Sequence, residues 1–256
     1  MKSGEELSIF EIIPGELDVD KSVYRCSINK KEKYAWRVIY NYSDLLISCD
    51  KNIKDRIEKP LKKIYEFLMF CIKNHPSFLK SLSPIKVNYY FPGIIKKMCE
   101  KSSLFKVGPM AAVAGTVCEY IASELTGYCK NLIIENGGDL YIKSSSDLNV
   151  GVYLKNKYFK NKIVLKINSK DTPCGLCSSS GTFGHSLSLG KSDLSVVLAS
   201  SPITADAAVT AIANRITDSK DIQRTINFYN KFKEIKGILI IIDDKIGIWG
   251  SFELLS

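Results

Sequence analysis

Residues 131–144 read NLIIENGGDLYIKS. Two apolar runs of strand length flank Asn136-Gly137-Gly138-Asp139, a turn in which two glycines accept positive φ angles. A turn that tight joins antiparallel strands. The same pattern recurs on either side. VGVYLKN (150–156) and KIVLKINS (162–169) form a second pair, and IKGILIIIDDKIGIWGSFELL (235–255) places two strands around an Asp-Asp-Lys turn. DLSVVLASS (193–201) reads as a buried strand, and SVYRCSIN, KYAWRVIY and SDLLISCD, between residues 22 and 50, as three more.

Between these runs the apolar period changes from two to between three and four. Ile57, Leu61, Ile64, Leu68 and Ile72 predict a helix that Pro76 ends. PGIIKKMCEKS (92–102) is a short helix with proline at its start. VGPMAAVAGTVCEYIASELTGY (107–128) predicts one continuous helix, with Pro109 in its first turn and Gly127 as its C-terminal cap. SPITADAAVTAIANRIT (201–217) starts with Ser201 or Thr204 as N-cap, and DIQRTINFYNKF (221–232) is the last helix. Hairpins interspersed with helices predict an α+β chain with antiparallel sheets, read as one domain over residues 1–256.

The net charge is +9, but Arg occurs at only five positions against a large Lys surplus. Arg is the residue of bidentate phosphate and guanine contacts, and no nucleic-acid motif accompanies the charge, so no nucleic-acid partner is expected. Lys-rich segments surround near-neutral ones at about 107–142 and 176–218, which suits a small anionic ligand. No apolar run reaches membrane-span length, and the first residues carry acids without the apolar core of a secretion signal. The expectation is a cytoplasmic protein without membrane contact, with a homo-oligomer left open.

Three clusters are candidates for chemistry. The first is the turn Asn136, Gly137, Gly138 and Asp139, where glycines let a ligand approach the backbone between two polar side chains; many plain hairpins look the same. The second is the pair Asp206 and Thr210, four apart on one helical face, offering two hard oxygens to Mg²⁺. Asp206 equally suits the helix N-terminus through the macrodipole alone. The third is CGLCSSSGTFGHSLSLG (174–190). Ser179, Ser180, Gly181 and Thr182 are candidates to line a phosphate, though the stretch is neither a Walker loop nor a GxGxxG fingerprint. His185 is a candidate base or ligand donor, or a structural histidine, and Cys177 is a nucleophile only if something lowers its pKa. Cys174 and Cys177 form the one CxxC among eight cysteines, and a zinc ribbon needs a second pair.

Taken in order, VGPMAAVAG, ENGGDLYI, SSGTFGHSLSLG, TADAAVTAIANR and IGIWGSFEL resemble the ApbE-like branch, of UPF0280 type, of the superfamily that includes FAD:protein FMN transferases. The resemblance spans nearly the whole chain and implies a T-fold-like α+β architecture. It implies that Asp206 and Thr210 hold Mg²⁺, that Gly137, Gly138 and Asp139 belong to the ligand turn, and that His185 lies near a flavin, with FAD or a related nucleotide as ligand. It also implies departures. Ala114-Gly115 stands where the transferases carry a Lys-Gly pair, Glu119 stands near a later Asp, and the histidine lies in GHSLSLG instead of an HxxDPxTG-like segment. Members of this branch are similar to proteins linked with sulfur assimilation to homocysteine in anaerobes, where Cys177 would handle a thiol or persulfide. A partner protein that kept the fold without chemistry is the third alternative.

Overall fold

The computed structural model describes residues 11–14, 27–28, 33–159, 162–181 and 190–255. Nine strands form one antiparallel sheet in the order β1 (Glu11–Pro14), β3 (Tyr34–Tyr40), β4 (Ser43–Cys49), β5 (Leu132–Asn136), β6 (Asp139–Lys143), β9 (Cys174–Ser179), β10 (Leu194–Ala199), β11 (Ile235–Ile242) and β12 (Lys245–Gly250). A second sheet of four strands runs β13 (Glu253–Leu255), β8 (Lys162–Ile167), β7 (Leu148–Tyr153) and β2 (Ser27–Ile28). Most of SVYRCSIN, including Cys26, lies outside the described residues.

The period-two alternation within the strands divides the core in two. On one face of the large sheet Leu45, Ile47, Leu132, Ile134, Val197, Ile238 and Ile240 pack against helices. On the other, Ile133, Leu140, Leu176, Val196, Leu239 and Ile241 meet Val150, Val152, Leu165 and Ile167 of the small sheet. The order of layers is therefore helices, large sheet, small sheet, as the α+β reading of the sequence requires. The central strands are buried on both sides, so β11 is almost uniformly apolar instead of alternating with polar residues.

The helices are α1 (Glu58–Asn74), α2 (Ser77–Lys80), α3 (Gly93–Leu104), α4 (Val113–Leu125), α5 (Pro202–Ala213) and α6 (Asp221–Tyr229). α5 is buried from Pro202 to Val209 without interruption, and its alanines, being small, let the sheet and α4 approach it together. Ser201 is its N-cap, its hydroxyl accepting from the Thr204 amide at 3.3 Å.

The sequence predicts one helix from residue 107 to 128, and the chain is instead divided in three. Pro109–Ala112 is a 3₁₀ turn, Ala112 leaves helical geometry at φ −130 and ψ 18, and α4 begins only at Val113. Gly127 lies inside a further 3₁₀ turn, Thr126–Tyr128, so it does not cap α4. Among the described residues no single helix is long and apolar enough to cross a membrane.

Candidate functional site

The site begins at the hairpin between β5 and β6. Asn136 pairs with Asp139, leaving Gly137 and Gly138 as a two-residue loop at φ 63 and 102. That handedness is the one expected for a tight hairpin, and it explains both glycines. Glu135, which the sequence reading passed over as part of a strand, is fully buried, and its Oε1 accepts the Gly138 amide at 2.9 Å. From the neighbouring strand, the Ser178 hydroxyl donates to the Gly138 carbonyl at 3.1 Å.

β9 accounts for the first part of the CGLCSSSGTFGHSLSLG stretch. It is a central strand, not a loop, with Cys177 opposite Asp139 on β6 and Val197 on β10. Alternation sends Cys174 to the small-sheet face and Cys177 to the helix face. Three-residue spacing on a strand thus points the two thiols apart, which disposes of the CxxC as a unit. Ser179 and Ser180 are buried, and the Gly181 amide donates to the Ser192 carbonyl at 2.9 Å, so that amide serves the fold instead of a phosphate. Thr182 and His185 lie outside the described residues.

α5 and α4 supply the opposite wall. Gly115 is packed so closely on α5 that a Cβ there would stand 2.4 Å from the Pro202 carbonyl oxygen and 2.9 Å from the Asp206 Cβ. This contact lets each helix cap the other. Asp206 Oδ2 accepts the Gly115 amide at 2.8 Å, and the Ala114 amide also hydrogen-bonds the carboxylate. Reciprocally, Glu119 Oε2 accepts the Ile203 amide at 3.3 Å in the first turn of α5. Gly115 meets Asp206 while Glu119 meets Ile203, so the helices run antiparallel, each giving a carboxylate to the other's positive end. Lys97 of α3 pairs with the other Glu119 oxygen. A cation therefore reaches Glu119 from α3. The break at Ala112 is what exposes the α4 amides to Asp206.

One turn beyond Asp206, the Thr210 hydroxyl donates to the Ala111 carbonyl at 3.4 Å, a long and weak bond. Asp206 and Thr210 thus each hydrogen-bond backbone on either side of the break that precedes α4. Asp139 belongs to the same electrostatic neighbourhood. Burial, with the Asp206 charge next in importance, holds its carboxyl well above the usual carboxylate range. Its Oδ1 is buried without a hydrogen-bond partner. Burial pushes Asp206 up to about 7, and the Gly115 and Ala114 amides moderate that rise.

Cys177 does not fit the role of nucleophile in this geometry. It is fully buried beneath the start of α5, its thiol donating to the Pro202 carbonyl at 3.6 Å. Burial, then the charges of Asp139 and Asp206, pushes that thiol well above its ordinary range. A protonated, enclosed thiol is an internal donor, not a reactive thiolate.

Comparison with known proteins shows the family and the fold. A family model described as "AbpE bacteria" matches residues 25–228. The chain belongs to that family. It is 34% identical to a UPF0280 protein of Methanocaldococcus jannaschii, over 84% of this chain and 89% of that protein. A UPF0280 protein of Methanococcus aeolicus is 38% identical, over 81% and 85% respectively. Among solved structures the fold is similar to the ApbE protein of Thermotoga maritima, with TM-score 0.59 and 13% identity over 85% of this chain and 96% of that one. It is also similar to an H257G mutant of the flavin transferase ApbE of Vibrio cholerae, with TM-score 0.52 and 10% identity over 82% and 94%. At such identities the likeness is one of fold.

Proposed function

We propose that this chain binds a flavin nucleotide, or another ligand built on a diphosphate, together with Mg²⁺, and acts on that ligand as a transferase or hydrolase. The observation that carries the proposal is that Asp206 and Thr210, one turn apart on α5, both hydrogen-bond the backbone around the break before α4, which supplies a carboxylate, a hydroxyl and the Ala111 carbonyl as hard oxygens. Hard oxygens are the ligands Mg²⁺ prefers. The residues fit such an ion on two further counts. The Thr210–Ala111 bond at 3.4 Å is weak enough to exchange. The buried Asp139 Oδ1 has no partner, and Asp139 and Asp206 are two desolvated carboxylates whose shared discomfort a divalent cation relieves.

Asp206 and Thr210 are the proposed metal ligands. When bound, the ion would neutralise a diphosphate and make the departing phosphate group a better leaving group. The chain's own residues orient the ligand. Gly137 has nothing within 4 Å of the position a Cβ would take, leaving the turn open to a close approach. Asn136 and Asp139 flank that opening, and Ser179, Ser180 and the segment through Thr182 are proposed to complete the contact, with His185 positioning the reacting group. That fold neighbours are named flavin transferases supports flavin over other diphosphates.

The test is a titration of FAD into purified protein with and without Mg²⁺. Binding should tighten at least tenfold with Mg²⁺, and Asp206→Ala should abolish that gain. Absence of binding for FAD, FMN and adenine nucleotides alike, with Mg²⁺ present, would overturn the proposal.

A further inference from the structure

A second cluster lies at the far end of β4, where Cys49 pairs with Leu132 at the end of β5 opposite the hairpin. Cys49 closes β4, Asp50 follows it, and Cys129 leads from the 3₁₀ turn after α4 into β5. The two thiol sulfurs and a carboxylate oxygen of Asp50 all lie within 4.8 Å of one another. Among the described residues, this is the one group of three ligating side chains so close together. Both thiols are free.

The spacing suits a tetrahedral ion. Zn–S bonds of about 2.3 Å hold sulfur ligands about 3.8 Å apart, and oxygen ligands slightly closer. Cys49 Sγ lies 3.8 Å from Asp50 Oδ1. The backbone frame holds the ligands in place. Asp50 Oδ1 accepts the Lys130 and Asn131 amides at 3.0 Å each, and the Asp50 amide reaches the Asn131 carbonyl. Lys143 Nζ donates to the carbonyls of Thr126 and Cys129 at 2.8 and 3.0 Å, fixing the turn that delivers Cys129. Burial pushes the Cys49 thiol up to about 12, and the Lys51 amide, facing Sγ at 3.5 Å, offsets part of that rise. The cysteines are buried while Asp50 is half-buried beside the exposed Lys51, which puts the carboxylate on the solvent side of the cluster.

The Lys130 and Asn131 amides hold Asp50 in place, and two soft sulfurs beside that carboxylate make a donor set that suits a thiophilic ion.

We propose that Cys49, Cys129 and Asp50 form a site for a thiophilic divalent cation of the zinc class, with a fourth position open to water or an external ligand. Binding replaces two S–H bonds by two metal–sulfur bonds and releases both protons to solvent, with no change of oxidation state. The ion would tie the end of α4 to the β4–β5 pair. The proposal is independent of the function proposed for the Asp206 site.

The experiment uses the full chain, reduced and stripped of metal with a chelator, then titrated with Co²⁺ and with Zn²⁺ against a chromophoric competitor. One equivalent should bind, Co²⁺ should give a thiolate charge-transfer band and tetrahedral d–d bands, and Zn²⁺ should bleach them. C49S and C129S should each lose the band, and D50N should weaken binding at least tenfold, while C71S keeps it. Because a buried cysteine variant can fail to fold, wild-type protein supplies a second measurement: X-ray absorption at the zinc edge of the one-equivalent complex should show two sulfur ligands at about 2.3 Å. No stoichiometric uptake by the reduced protein, or bound zinc with no sulfur ligand, would overturn the proposal.

Discussion

Asp206 gives the account a sharp pH signature. Its carboxyl is pushed up to about 7 from an ordinary 3.8 because it is buried. The folded chain therefore keeps a proton that the unfolded chain has already lost, and stability is full below the ordinary value and falls as pH rises through the folded one. Between about pH 5 and about pH 8, one such group accounts for about 2.5 kcal/mol, at about 1.4 kcal/mol per pH unit. Asp139 is moved in the same direction and adds to the loss. Asp147 and Asp221 are shifted oppositely, but they act below 3.8, outside that window. Urea denaturation across the range measures the effect. Wild-type protein should lose stability as pH rises, and Asp206→Asn, which removes the charge that also raises Asp139, should flatten the slope. Excess Mg²⁺ should stabilise the wild type more at the upper end of the range than at the lower, since it binds the ionised carboxylate. A wild-type stability that is level or rises from about pH 5 to about pH 8, or a variant that retains the full slope, would refute the electrostatic argument.

Two further outcomes follow from the packing. Gly115→Ala drives a methyl into the Pro202 carbonyl and the Asp206 side chain, so it should cost about 1–3 kcal/mol and weaken Mg²⁺-dependent ligand binding; unchanged stability by urea denaturation would contradict the close helix contact. Cys177 in the folded protein should resist iodoacetamide as long as the fold persists and react fully in urea, and rapid native labelling would restore it as a candidate nucleophile.

Much of this arrangement was legible in the sequence because short-range chemistry dictates it. Asn136-Gly137-Gly138-Asp139 is a hairpin on composition alone, and four-residue spacing on a helix is enough to put Asp206 and Thr210 together. The break at Ala112 was not legible. A run of Pro, Met, Ala and Val carries no local stop signal, and the partner of the amides that the break exposes is Asp206, far away in sequence. Glu119 was visible as a residue near a family position, but its capping of α5 depends on a packing angle that Gly115 alone permits. β9 was hidden for a different reason. A short run of small residues with a glycine in it carries little strand signal, and the strand is imposed by β6 and β10 on either side. Once it is seen as a strand, alternation separates Cys174 from Cys177. The Cys49–Asp50–Cys129 group had no signature at all, since its members meet only through the β4–β5 pairing.

The central claim is that a divalent cation joins Asp206 and Thr210 to a diphosphate ligand. Anomalous diffraction from crystals grown with FAD and Mn²⁺, a scattering substitute for Mg²⁺, tests it most directly. The account predicts a manganese peak bonded to an Asp206 carboxylate oxygen and the Thr210 hydroxyl, with a phosphate oxygen of the nucleotide on its open side. Bound FAD with no such peak, or with manganese held elsewhere, would contradict it.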